Sequence, residues 1–257
     1  MKEPSAYQMT QMYFNDAAEE YLEFLKKKHP EHFMLSVAQS TQRHLTNTSL
    51  DFVAAQRPDM HVYSELLLQW RDHKNRMRRV VPDNMIVLAE KKPKVNTNFA
   101  IPIQSTGPFM VFENWSKANP RKDYQKSYDK YEAELKVPYF LLYNADDQKL
   151  SLFRFGKRKG KYVSVQPDDE GRCAIPELDL TVGLLEGWVR YWWKEQLMPT
   201  VVEWYAEVQK EQKEVMALQQ ERDIERRIIE MDRLIAEQDR KIADMQAELE
   251  RLRKSAG

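Results

Sequence analysis

The sequence predicts an α/β fold, a mixed central sheet flanked by helices, followed by a long C-terminal coiled-coil helix. Three observations predict it. The apolar runs "NMIVL", "FMVF" and "VPYFLLY" have the length of buried strands and are bounded by polar, Pro or Gly residues. Segments with helical apolar spacing lie between and around them. After Pro199, no Gly or Pro occurs until the final Gly257, and apolar residues recur at alternating steps of three and four.

Taken in order, "DAAEEYLEFLKKK" (Asp16 to Lys28) is predicted helical, with acids early and lysines late to complement the helix dipole, and Pro30 ends it. "HFMLSVAQS" is a candidate short strand. "TNTSLDFVAAQR" is a second helix, capped by Thr or Asn and stopped before Pro58. "HVYSELLLQWR" is a candidate strand, followed by the basic turn "RDHKNRMRR". "VVPDNMIVLAE" and "FMVFENW" are strands joined by the long irregular loop "KKPKVNTNFAIPIQSTGP", of a length that often marks function. "NPRKDYQKSYDKYEAELK" is a helix with Asn119 as cap and Pro120 as first residue. Its Tyr124, Tyr128, Tyr131 and Leu135 share a core-facing stripe. "LSLFRF" and "KYVSV" pair as a hairpin across "GKRKGK", and "GLLEGWVRYWWKEQL" is expected to be an aromatic helix on the sheet. In the C-terminal segment, Ile224, Ile228, Met231, Ile235, Ile242, Met245, Leu249 and Leu252 form a heptad seam with Gln238 as its one polar member. Ile alternating with Met or Leu favours a parallel dimer, with an antiparallel pair as the other option.

Composition narrows the function classes. Of 257 residues, 42% are apolar and 31% charged, with 40 basic and 40 acidic side chains. Net neutrality means that any nucleic-acid contact must be a local patch. One cysteine, Cys173, excludes an internal disulfide and suits a reducing cytoplasm. No apolar run reaches the roughly 18 residues of a membrane span. The chain carries no P-loop, no dinucleotide-binding glycine fingerprint and no nucleophile elbow. His44, His61 and His73 are too widely spaced to suggest a zinc site.

Two carboxylates stand out. Asp83 opens the strand "NMIVL" and Glu113 closes "FMVFE". If these strands are neighbours, the two carboxylates lie side by side at one end of a sheet and repel unless a cation sits between them. Oxygen ligands of this kind suit Mg²⁺ or Mn²⁺, which activates water and stabilises charge on a phosphodiester under attack. A nearby lysine would orient the water or offset the charge. Asp123, Lys126 and Lys130 follow on the next helix. At about 100° per residue, Lys126 lies opposite the tyrosine stripe and Lys130 roughly 130° from it. Lys130 is therefore the preferred lysine, with Lys126 and Lys117 in reserve. Glu65 is a candidate additional acid, although a solvent-facing strand residue is the commoner reading. Ser116 caps the following turn or bonds Glu113.

The stretches "VVPDNMIVL", "PFMVFENWSK" and "KDYQKSYDKYEAELKVPYFLLYN" together resemble the PD-(D/E)XK nuclease superfamily, and more closely the Uma-type restriction endonuclease family. The matching positions are Asp83, Glu113, Ser116, Asp123, Tyr131 and the step "KVPYF". Trp115 stands where the superfamily usually has its lysine, and Ser127 where the Uma-type helix has one. The resemblance implies a restriction-endonuclease-like core and a Mg²⁺-dependent DNA endonuclease, with Asp83 and Glu113 as metal ligands and Lys130 or Lys126 as the catalytic cation. It further implies a division into an N-terminal helical part of the nuclease-like domain at 1–58, the core at 59–199 and a coiled coil at 200–257. A homodimer formed through that coil could cut both strands of a duplex. The alternative is a nuclease-like interaction module without catalysis that self-associates through the same coil.

Overall fold

The computed structural model describes residues 5–28, 37–115 and 124–255, without the side chains at 124–126, 250 and 252–255. The chain divides into two units, Met1–Val201 and Val202–Gly257.

The first unit is built on three sheets. The central one has six strands in the order β1-β4-β6-β7-β8-β9, with β1 Met60–Ser64, β4 Asn84–Leu88, β6 Met110–Trp115, β7 Tyr139–Asn144, β8 Lys149–Gly156 and β9 Lys161–Ser164. Only β6 and β7 run parallel, because only they are joined by a helical crossover; the remaining pairs are antiparallel. The strands expected at "NMIVL", "FMVF" and "YFLLY" are present and adjacent. The hairpin across "GKRKGK" is also present.

One face of this sheet packs on α2 (Val37–Gln56) and a four-stranded sheet, with Leu50, Ile86, Phe112, Leu141 and Tyr191 in the shared core. The other face packs on a three-stranded sheet of β2 (Leu67–Arg71), β3 (Met77–Val80) and β5 (Asn98–Ala100). Its core is aromatic. Phe140 lies in ring contact with Tyr128, Tyr131, Phe153 and Tyr162.

Several expectations are corrected. The first helix, α1, is Ala6–Lys28 and starts ten residues before Asp16. A reciprocal capping box sets its start: Ser5 N–H donates to Gln8 Oε1 at 2.8 Å, and Gln8 N–H donates to Ser5 Oγ at 3.3 Å. Val37–Ser40 is the first turn of α2, where "HFMLSVAQS" suggested a strand; residues 32–36 of that stretch lie outside the described residues. The buried stripe of α2 includes Gln39, Gln42, Thr46 and Ser49, so it carries no apolar period to read. Gln42 bonds both backbone groups of Val189, accepting at 2.8 Å and donating at 3.1 Å, which satisfies a buried amide as a peptide neighbour would. "HVYSELLLQWR" is two strands, broken where Glu65 takes the left-handed conformation with φ of 49°. The long loop contains β5, which pairs parallel to β2.

The aromatic "helix" is a hairpin. β11 (Leu180–Leu185) and β12 (Trp188–Trp193) pair antiparallel with Leu185 opposite Trp188; β10 (Cys173–Ile175) and β13 (Gln196–Leu197) complete the sheet. Glu186 and Gly187, both at positive φ (53° and 78°), form the two-residue turn that matches strand twist. A Cβ on Gly187 would meet Gln148 Nε2 at 3.0 Å. Gly187→Ala is therefore expected to destabilise the unit by about 1 kcal/mol or more. Its urea midpoint, read by tryptophan fluorescence, should fall; an unchanged midpoint would refute this account of the turn.

The crossover helix is described from Tyr124, outside the predicted cap Asn119 and first residue Pro120. α3 (Tyr124–Asp129) passes into π geometry at Lys130–Leu135. Lys136 closes it in a left-handed conformation with φ of 51°. Tyr131 is fully buried and Leu135 packs on the aromatic core, as the stripe predicts.

The second unit is one helix, α4 (Val201–Ser255). No helix among the described residues is long and apolar enough to cross a membrane.

Candidate active site

β4 and β6 are antiparallel with Asn84 opposite Phe112, so one further step of the same register sets Asp83 opposite Glu113. Both carboxylates are 6% exposed. Burial of two acids at one strand end requires compensating donors, and these are present. Asp83 Oδ2 accepts the Asn114 backbone N–H at 2.7 Å. Arg43, from α2, approaches Asp83 Oδ1 at 3.7 Å and pairs with Glu65 at 2.7 Å. On the opposite face, Tyr131 donates its hydroxyl to Glu113 Oε1 at 2.7 Å. Burial pushes the Tyr131 phenol well above its usual range, and the charges of Glu113 and Asp83 push it in the same direction. Both carboxylates therefore lie within electrostatic reach of one buried hydroxyl.

The left-handed break at Glu65 positions that acid. Its N–H donates to the Asp83 carbonyl at 3.1 Å, which turns the chain so that the carboxylate meets Arg43. Glu65 thus joins the site through a cation and not through the strand-neighbour position expected of it.

Lys130 sits at the first residue of the π segment and donates Nζ to the Arg79 carbonyl at 2.9 Å. The change from α to π geometry alters the angular spacing on which its predicted position relied. Ser116, Lys117 and Asp123 lie outside the described residues, as does the side chain of Lys126. No group of three or more metal-ligating side chains occurs among the described residues.

Arg43, Asn114 and the Tyr131 hydroxyl were not singled out for the site from sequence. Arg43 sits on a helix whose first turns carry no apolar signal. Tyr131 was readable as a core residue and as a position of the family match, but a stripe does not report where a hydroxyl ends. Arg43, Asp83, Asn84 and Asn114 line a cavity of 10 Å³ with Gln39 and Phe112. Arg43 Nε, Asn84 Oδ1 and both side-chain polar atoms of Asn114 have no hydrogen-bond partner among the described residues. A space of that size and polarity suits one ordered water.

The basic segments contribute little here. Arg78 pairs with Glu134 at 2.7 Å and Arg76 with Asp72 at 2.8 Å. Arg71 and Arg79 stack on Tyr13 and Tyr21. The four "RDHKNRMRR" arginines thus fasten the hairpin to its own fold. "GKRKGK" lies at the other end of the sheet from Glu113, because Met110 aligns with Tyr139 and Tyr139 with Arg154. A groove of 680 Å³ is at that far end, and there Arg154 is paired with Glu177 at 2.7 Å.

No protein-family model matches the chain, and no curated protein matches it. Among solved structures it is similar to a candidate nuclease belonging to DUF820 from Anabaena variabilis ATCC 29413, at 13% identity and a TM-score of 0.42, over 56% of this chain and 75% of that one. A likeness of that size transfers no residue role.

Proposed function

We propose that the protein is a metal-dependent hydrolase of phosphodiester bonds acting as a DNA endonuclease. The observation that carries this reading is the pairing of Asp83 with Glu113 at one buried strand end, each accepting a hydrogen bond that orients it. Two carboxylates across a strand pair are a donor set that fits a hard divalent cation such as Mg²⁺ or Mn²⁺. Asp83 and Glu113 would hold it. Such an ion supplies Lewis acidity toward a phosphodiester and toward the attacking water. The chain's own residues supply position. Asn114 N–H and Arg43 fix Asp83, and the Tyr131 hydroxyl fixes Glu113. Lys130, or Lys126 in its place, orients the water or offsets charge on the phosphate.

A second reading, a nuclease-like interaction module without catalysis, is favoured by one observation. The Arg43 cation already faces Asp83, and in the standing arrangement it offsets part of the charge that a metal would offset.

Calorimetry with Mn²⁺ separates the two. The wild type is expected to bind about one ion per chain, and Glu113→Gln to lose that binding with its fold intact by circular dichroism. If the folded wild type takes up no Mn²⁺ alone or with an uncleaved DNA duplex, the hydrolase reading fails and the second one stands.

A further inference from the structure

The α4 helix carries a seam that the single chain leaves uncovered. Ile224, Ile228, Met231, Ile235, Ile242, Met245 and Leu249 are 49–62% exposed. With Ile228, Ile235, Ile242 and Leu249 at heptad positions a, the d positions are Ile224, Met231, Gln238 and Met245. Three of these four a residues are β-branched and three of the four d residues are not, a pattern that favours two parallel strands.

We propose that α4 docks on α4 of a second copy of this chain, parallel and in register. Two independent features choose that partner and orientation. The first is Gln238. In a parallel, in-register pair each d residue meets its own copy, so Gln238 meets the partner's Gln238 and the two amides can bond each other. In an antiparallel pair d layers face a layers, and the register that keeps the seam aligned sets Gln238 against the partner's Ile235. Sliding the helices to relieve this sets Met245 against the partner's Glu214. A single polar seam residue fixes register by making every other alignment cost a buried, unbonded amide.

The second feature is charge. Flanking positions pair g with the following e of the partner in the parallel form, which sets Arg227 beside the partner's Asp232, twice by symmetry. The aligned antiparallel form sets Arg227 beside the partner's Glu248, but it also places Asp232 beside the partner's Asp239, two like charges. The ion pairs within α4, Lys241 with Glu237 at 3.1 Å, Arg226 with Asp223 at 3.6 Å and Lys210 with Glu214 at 4.0 Å, are made within one helix and are compatible with either form. The seam therefore discriminates by Gln238 and by Asp232. The surface is specific to a second copy, because its polar and charged positions are complementary to themselves.

The full chain with Gln238→Cys tests this. Cys173 is buried, so the new thiol is the accessible one. Mild oxidation is expected to convert the chain to a reducible covalent dimer. Sedimentation of the wild type should give twice the 30.6 kDa chain mass. Asp232→Arg should weaken the dimer roughly tenfold, from the loss and reversal of two symmetry-related pairs, and adding Arg227→Asp should restore it. A wild-type chain that stays monomeric at 100 µM, or sediments as three or more chains, overturns the proposal. So does a dimer that Gln238→Cys does not link. These readouts do not depend on metal or DNA, so they stand or fall apart from the hydrolase reading.

Discussion

Asp83→Asn is expected to lower metal-dependent cleavage of supercoiled plasmid by about 10³-fold. The substitution isolates charge from shape. Asparagine keeps an oxygen that can accept the Asn114 N–H, now made by Asp83 Oδ2 at 2.7 Å. Arg43 loses its neighbour at 3.7 Å but keeps Glu65 at 2.7 Å, so no buried cation is left alone. What disappears is one of two anionic oxygen donors. Lewis-acid stabilisation of a phosphodiester is worth several kcal/mol, and the loss of about 4 kcal/mol corresponds to about 10³ in rate. The variant should keep a cooperative urea transition, so that its loss of cleavage is not a loss of fold. Cleavage by Asp83→Asn at the wild-type rate would sink the site assignment. Equal loss of cleavage and of fold would be uninformative for Asn, and for that reason Glu113→Gln is assayed beside it.

How much of this could be read from the chain depends on where each element keeps its signal. The pair β4 and β6 was legible because both are short apolar runs ended by polar residues, and the juxtaposition of Asp83 and Glu113 follows from their pairing. The crossover helix was legible by its tyrosine stripe. β11 and β12 were not, because "LLEGWVRYWW" is an almost continuous apolar run, and such a run reads equally as helix or buried hairpin. Only the positive φ at Glu186 and Gly187 decides, and a Glu-Gly turn is a weak sequence cue beside Asn-Gly. The start of α2 was hidden for the opposite reason. Its buried face is made of Gln39, Gln42, Thr46 and Ser49, whose burial is licensed by partners such as Val189, 147 residues away. Arg43 was lost with it. The role of Tyr131 depends on a long-range hydroxyl contact that no local pattern encodes.

Stability is expected to collapse above about pH 10, driven by buried tyrosines. Burial pushes Tyr131, Tyr162 and Tyr191 above the ordinary phenol range. For Tyr131 the charges of Glu113 and Asp83 add to this; for Tyr162, Tyr128 and Glu132 do; for Tyr191 a bond to Thr46 opposes it. The sign follows from the protons bound. Below about pH 10 both folded and unfolded chains keep these hydroxyls protonated, and their contribution is fully present. Above it the unfolded chain releases protons that the folded chain holds, so unfolding becomes more favourable as pH rises through the folded values. Each retained proton contributes about 1.4 kcal/mol per pH unit, so three give about 4 kcal/mol per unit. Against a typical total of about 5–15 kcal/mol, that exhausts stability within a few pH units. Urea unfolding between pH 8 and pH 11 would measure the slope. Tyr191→Phe, which gives up only a 3.4 Å bond to Thr46 Oγ1, should flatten it by about one proton. Tyr131→Phe should flatten it equally and, unlike Tyr191→Phe, weaken Mn²⁺ binding, because Tyr131 bonds Glu113 and Tyr191 bonds Thr46. If both variants keep the wild-type slope, the tyrosines are not what alkali attacks. If Tyr131→Phe changes the slope but leaves Mn²⁺ affinity untouched, its hydroxyl serves the core and not the site.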